Sequence, residues 1–254
     1  MKKYFNPNTG LVPVYQKPEF SSGKITEVLY GESCEILSRD GKWLEIIQDD
    51  SYEGWVNAFY GFETENIFEA THVFTGNTIV KKIGNQSIHI PLGARFLKQN
   101  GQFLNARGDA FHQLDGLTNL DKDPAFDEII PLSKILLGIP YRWGGKSSFG
   151  FDCSGLIQTV CRACGIQLPR DAWQQQEALA SSQISLESAK PGDIHFFGEG
   201  EKATHVGFSL DGKGILHAQG WVKEESLDPK SPIFNASLLD IYLSSHSIRS
   251  NFQP

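Results

Sequence analysis

Between about residues 10 and 120 the chain alternates short apolar and β-branched runs with Gly, Asn or Asp at intervals of roughly ten positions. That rhythm is the signature of an all-β region. It predicts strands over Leu11 to Tyr15, Ile25 to Tyr30, Ser33 to Ser38, Trp43 to Gln48 and Gly54 to Phe59. Between the third and fourth of these, Arg39-Asp40-Gly41-Lys42 predicts a tight hairpin, because Asp-Gly accepts the positive φ angles of the reversal. Past Asp121 the pattern changes to interleaved helix and strand signals. Pro131 to Leu137 predicts a helix ended by Gly138 and Pro140. Apolar residues at 153, 156, 157, 160, 161 and 164 form a helical stripe closed by Gly165. Asp171 caps a further predicted helix from Ala172 to about Ala180. Strands follow at Asp193 to Phe197, Thr204 to Leu210 and Gly214 to Ala218, so a helix on an antiparallel sheet, an α+β arrangement, is expected here.

Composition narrows the partners. The 254 residues are 40% hydrophobic and 21% charged, as in an ordinary globular protein. A net charge of -7 without a basic run disfavours nucleic acid and anionic membrane surfaces, and a small substrate fits better. No segment approaches the roughly 20 apolar residues of a membrane span. The N-terminal lysines lead into Asn6, Pro7, Asn8 and Gly10 rather than an apolar run, so a cytoplasmic location is expected. Four unevenly placed cysteines, Cys34, Cys153, Cys161 and Cys164, are expected to be reduced. Gly144-Gly145 lacks the spacing and the Lys-Ser/Thr ending of a phosphate loop, and no cofactor or metal is expected.

The candidate chemistry lies around Cys153. With Asp152 as N-cap, Cys153 opens a helix whose unpaired N–H groups lower a thiol pKa, and its own N–H is a candidate oxyanion donor. A base is expected from the strand Thr204-His205-Val206-Gly207-Phe208-Ser209-Leu210. There His205 shares a face with Gly207 and Ser209, and Gly207 leaves room above it. His217, on the next strand, is the candidate to orient His205. An even loop between the two strands would put these histidines on opposite faces; an odd loop or a bulge would bring them together.

Two resemblances follow from these residues. Gly31-Glu32-Ser33-Cys34-Glu35-Ile36-Leu37, Trp43-Leu44-Glu45-Ile46-Ile47 and Gly54-Trp55-Val56 resemble a bacterial SH3-like domain, and residues 72 to 118 resemble a second, divergent one. Tyr141-Arg142-Trp143-Gly144-Gly145, Asp152-Cys153-Ser154-Gly155, Lys190-Pro191-Gly192-Asp193, Thr204-His205-Val206-Gly207 and Leu216-His217-Ala218 resemble the NlpC/P60 family of papain-like cell-wall peptidases. Together they imply a multidomain chain: an SH3-like barrel over residues 1–61, a divergent one over 62–120, and an α+β papain-like NlpC/P60 domain over 121–254.

The resemblance further implies a Cys-His-His triad of Cys153, His205 and His217 acting on murein-derived small peptides at a γ-D-glutamyl-L-diamino acid bond. Tyr141, Asp152 and Ser154 are the positions that match the family's grip on a free N-terminal L-Ala. From the SH3-like domain, Tyr52 is the candidate tyrosine and Glu27 or Glu32 the candidate acid. Murein-peptide recycling is the corresponding cellular role. An acyltransferase of the same superfamily and a non-catalytic wall-binding protein are the rival readings.

Other residues read as structural. Cys161 and Cys164 lie on the apolar stripe and are expected in the core. His195, between Ile194 and Phe196, is expected to be structural, and His72, His89, His112 and His246 are expected in surface or core positions. Trp43 and Trp55 are expected in the first barrel's core, and Trp143 beside Tyr141 in a cleft wall.

Overall fold

The computed structural model describes residues 2–83, 85–111 and 114–252, so the expectation for His112 lies outside the described residues. The chain forms two compact units, one of Met1–Lys122 with Trp143–Phe149, the other of Asp123–Arg142 with Gly150–Pro254.

The first unit opens with β1 (Tyr4–Pro7), β2 (Leu11–Tyr15), β3 (Lys24–Leu29), β4 (Cys34–Asp40), β5 (Trp43–Ile47), β6 (Glu53–Asn57) and β7 (Gly61–Thr64). These form one seven-stranded sheet in the order β3-β2-β6-β5-β4-β1-β7. Alternation along the strands decides which side chains go inside: Val12, Val14, Leu44, Ile46 and Val56 build the core with Phe5, Val28 and Cys34. The same parity corrects the expectation for Trp43 and Trp55. Both are only half-buried, because Leu44, Ile46 and Val56 take the inward positions, and Trp43 instead meets the rings of Tyr15 and Phe20. The expected hairpin is present, with Asp40 opposite Trp43 and Gly41 at φ +56.

The same unit continues with β8 (His72–Phe74), β9 (Thr78–Ile83), β10 (Gln86–Pro91), β11 (Arg95–Gln99), β12 (Gln102–Leu104), β13 (Ala110–Phe111) and β14 (Leu117–Asn119). The β9–β10 hairpin stands beside a five-stranded sheet ordered β13-β12-β11-β8-β14. Phe74, Ile90, Ala94, Phe96 and Phe111 form its core, and Tyr30 joins them from the end of the second predicted run. The segment Trp143–Phe149, with β15 (Lys146–Ser147), is held in this unit by buried ionic contacts described below.

In the second unit α1 (Ile129–Lys134) begins two residues before the predicted start. The chain turns after it at Gly138, φ +85. Then come β16 (Gly150–Phe151), α2 (Cys153–Ala163), α3 (Ala172–Ala178), β17 (Gln183–Ile184), β18 (Ile194–Phe197), β19 (His205–Asp211), β20 (Gly214–Gln219), β21 (Trp221–Ser226), α4 (Ala236–Asp240), β22 (Tyr242–His246) and α5 (Ile248–Phe252). Six strands make an antiparallel sheet in the order β17-β22-β18-β19-β20-β21. The apolar stripe of α2 packs on β19 and β20, and Leu156, Ile157, Val160 and Cys161 are fully buried. Cys161 and Cys164 are both buried in the core and neither forms a disulfide. Asp171 caps α3 in a capping box with Gln174. His195 is buried with Nδ1 2.8 Å from Ser245 Oγ, and His246 is buried between Leu179 O and Ser244 Oγ. No helix among the described residues is long and apolar enough to cross a membrane.

Candidate active site

α2 begins at Cys153 because Asp152 is extended, at φ -88 and ψ 177, and accepts the N–H of Gly155 at 2.7 Å. The Asp152 carboxylate is held from its other side by Arg170, whose guanidinium is buried and bidentate, with Nη1 3.0 Å from Oδ1 and Nη2 2.6 Å from Oδ2. Nη1 also donates to Ser154 Oγ at 3.0 Å. One planar cation thus locks both residues that flank the thiol.

The Cys153 thiol is buried against the backbone N–H groups of Ser154 and Val206, the latter adjoining His205 on β19. The helix start was expected to lower its pKa. Instead burial, reinforced by the Asp152 charge, pushes the thiol up to about 12; the two N–H groups and Arg170 oppose this without prevailing. Burial, with a contribution from the His217 charge, likewise pulls His205 down to about 3. The resting pair is therefore a thiol and a neutral imidazole.

His205 and His217 share one face, and a bulge is the reason. Asp211 pairs with Gly214 across a two-residue turn, but Ser209 pairs with Ile215, so Leu210 is the extra residue that shifts the register. Gly207 provides the space. A Cβ there would lie 2.6 Å from Ile215 Cδ1 and 3.0 Å from His217 Cβ. His205 Nε2 is 2.7 Å from His217 Nδ1, and His217 Nε2 is 2.9 Å from Glu225 Oε2 on β21. Glu225 is held in turn by Lys223 Nζ at 2.9 Å and by Asn235 Nδ2 at 2.7 Å. Burial acts to raise the Glu225 pKa, but the hydrogen bonds from Lys223 and Asn235 hold it below the usual carboxylate range.

Tyr141 lies close enough to Cys153 and Asp152 to feel both. Burial first, and then those two groups, push its phenol up to about 12. Tyr141, Asp152, Cys153, Ser154, His205 and His217 thus belong to the second unit. Tyr52, Glu27 and Glu32 belong to the first. There Glu27 is buried, accepting from Lys24 Nζ at 2.7 Å and from the Lys146 N–H at 3.0 Å. Glu32 accepts from the Leu29 N–H, Arg95 and Lys146 Nζ. Tyr52 lies between β5 and β6 with its N–H on Asp50. Trp143, expected as a cleft wall, belongs to the first unit and is 72% exposed. Among the described residues, no group of three or more His, Cys, Asp or Glu is placed to hold a metal ion.

Residues 138–238, which include every member of this cluster from Tyr141 to Asn235, match the model of the NlpC/P60 family, and residues 9–60 match that of the bacterial SH3 domain. A γ-D-glutamyl-L-lysine dipeptidyl-peptidase of Bacillus subtilis is 32% identical over 76% of this chain and 71% of its own length. The chain belongs to the NlpC/P60 family. It is an enzyme of the hydrolase class, as its named relatives are. A second γ-D-glutamyl-L-lysine dipeptidyl-peptidase, from Bacillus cereus, is 26% identical over 76% of this chain, which spans 66% of that relative's length. The fold is also that of the crystal structure of an NlpC/P60 family protein from Bacillus cereus, with TM-score 0.82, 19% identity, and 99% and 100% of the two chains covered.

Within this NlpC/P60 domain two residues went unread in the sequence. Arg170 follows Pro169 in a short connection between two helices, and Glu225 sits in Lys223-Glu224-Glu225, which reads as a solvated edge. No local pattern distinguishes a buried charge from an exposed one.

Proposed function

We propose that this protein is a cysteine peptidase that hydrolyses the γ-D-glutamyl-L-diamino acid bond of murein peptides bearing a free N-terminal L-Ala. The observation that carries the reading is the hydrogen-bonded line from Glu225 through His217 to His205, whose chain neighbour Val206 turns its N–H to the Cys153 thiol at a helix start. His205 uses Nε2 for His217, so Nδ1 is the atom left to take the Cys153 proton. As that proton leaves, the sulfur attacks the γ-carbonyl of D-Glu. The first-turn N–H of Cys153, which has no intrahelical acceptor, stabilises the oxyanion. His205 gives its proton to the leaving amine, and the acyl-enzyme is released by water that His205 deprotonates. Burial of both groups means that the proton moves as the substrate is attacked, not before.

The Asp152 carboxylate, fixed by Arg170, is the counter-charge for the ammonium, with Ser154 and Tyr141 beside it. Murein-peptide recycling in the cytoplasm is the cellular counterpart of this reading, and its support is the likeness to relatives named as γ-D-glutamyl-L-lysine dipeptidyl-peptidases.

Cys153→Ala should reduce hydrolysis of L-Ala-γ-D-Glu-L-Lys and of the matching diaminopimelate peptide to background, by at least about 10³-fold in kcat, while leaving the melting temperature near wild type. N-acetylation of the peptide should abolish turnover by wild type. Retention of most activity by Cys153→Ala would sink the reading.

A further inference from the structure

A histidine paired with a histidine is chemically ambiguous. Each imidazole nitrogen donates or accepts according to its tautomer, so a contact between His205 Nε2 and His217 Nδ1 does not by itself say which atom carries the proton. If His217 Nδ1 held it, His205 Nε2 would accept. The proton of neutral His205 would then sit on Nδ1, where it blocks the base. The pair needs a third group to choose.

Glu225 makes that choice. β20 and β21 pair with Ile215 opposite Glu225 and His217 opposite Lys223, so Glu225 and His217 are diagonal neighbours on one face. The carboxylate can only accept, so His217 must carry its proton on Nε2, which is 2.9 Å away. His217 Nδ1 is then the acceptor, His205 Nε2 the donor, and His205 Nδ1 the bare nitrogen.

The carboxylate is itself fixed. Asn235 donates to Oε2 through Nδ2, and the other end of that amide, Oδ1, caps α4 by accepting the Leu238 N–H at 3.0 Å. The amide cannot reverse without losing the cap. Lys223 donates to Oε1, opposite the oxygen used by His217. His217 itself is fully buried, so no water competes for its ring.

We propose that Glu225 is a positioning residue that sets the tautomers of His217 and His205, extending the line to Cys153-His205-His217-Glu225. The inference rests on the reading of Cys153 and His205 as nucleophile and base. No proton is gained or lost in setting the tautomers. When His205 takes the thiol proton, its positive charge is transmitted along donors that all point toward the Glu225 carboxylate.

Long-range ¹⁵N–¹H spectra of the imidazoles report each tautomer without reference to turnover. In wild type at neutral pH, both His217 and His205 should be protonated on Nε2 and bare on Nδ1. In Glu225→Ala the His217 signals should shift toward the Nδ1–H form. With that shift, kcat should fall roughly 10- to 100-fold, part of the 10²–10⁴ typical of general base catalysis, with KM within about twofold. Glu225→Gln, whose carbonyl still accepts from Nε2, should restore the tautomer and most of kcat. A wild-type His217 protonated on Nδ1 overturns the proposal even if no variant folds. So does a loss of kcat in Glu225→Ala with both tautomers unchanged, which marks a merely structural role. Activity that survives Cys153→Ala overturns the underlying reading instead, and that outcome is separate.

Discussion

Arg170 carries more of the site than its place in the sequence suggests. It is buried, forms two parallel hydrogen bonds to Asp152, and adds a third to Ser154. Removing one partner of a buried pair leaves an uncompensated charge, at a cost of about 3–5 kcal/mol. Arg170→Ala should therefore lower the melting temperature markedly. Arg170→Lys keeps the charge but not the fork. It should fold, and should raise KM for the free-amine tripeptide roughly tenfold with a smaller change in kcat, as Asp152 loses its fixed orientation. Steady-state kinetics with thermal melts distinguish the two variants, and an unchanged KM in Arg170→Lys would show that Asp152 needs no such support. At this scale the legible residues were those with a local signature: a cysteine after a capping aspartate, and histidines on apolar strands. Arg170 and Glu225 bear no such mark, because only the tertiary neighbours of an arginine or glutamate decide whether it is buried.

Strands were legible because their period of two is local, yet the device that aligns the site is a departure from that period. The turn at Gly212-Lys213 alone would place His205 and His217 on opposite faces; the extra residue Leu210 reverses the outcome. Nothing in Ser209-Leu210-Asp211 signals this, and the parity of the sequence left both answers open. Trp43 and Trp55 mark a similar limit. Their bulk suggests a core, but strand parity gives the inward positions to Leu44, Ile46 and Val56. Gly207 is where the element scale meets function, since any side chain there overlaps Ile215 and His217 across the pair. Gly207→Ala should destabilise the second unit by about 1–3 kcal/mol through overpacking. It should also cut kcat at least about tenfold, because His217 Cβ, at 3.0 Å, must give way together with Ile215. A melt and a progress curve test this together. Full activity with a lowered melting temperature would show that the sheet relaxes away from His217.

For the whole molecule, buried histidines inside and outside the site bear on the pH range in which the second unit stays folded. His195 and His217 are completely shielded from solvent, and burial, the leading cause in each, pulls both down to about 4. In the unfolded chain each titrates near 6.5. Above that pH both states are neutral, and the stability contributed by these groups is fully present. As pH falls below about 6.5 the unfolded chain binds protons that the folded one refuses, so stability is lost until about pH 4, where the folded forms also titrate. Each such group contributes a slope of about 1.4 kcal/mol per pH unit, so the pair gives close to 3 in the middle of the window. His205, lowered for the same reason, adds to it. The first unit holds His89 in an exposed position and His72 half-buried, its pKa lowered by burial and then by Lys98, and the buried Glu32 of that unit is in ion pairs with Arg95 and Lys146. Acidification from pH 7 to 5 should therefore loosen the second unit before the first. Hydrogen exchange measured across that range, with amides of α2 and β19 compared with those of β2 and β5, checks the order. Equal loss of protection in both units, or none in α2 by pH 5, would show that the buried imidazoles do not govern the acid limit. The active-site line adds its own constraint, since protonating His217 removes the acceptor for His205 Nε2. Catalysis should thus fail on the acid side through His217, and replacing His195, which has no part in the line, should shift the unfolding limit while leaving the acid limb of kcat in place.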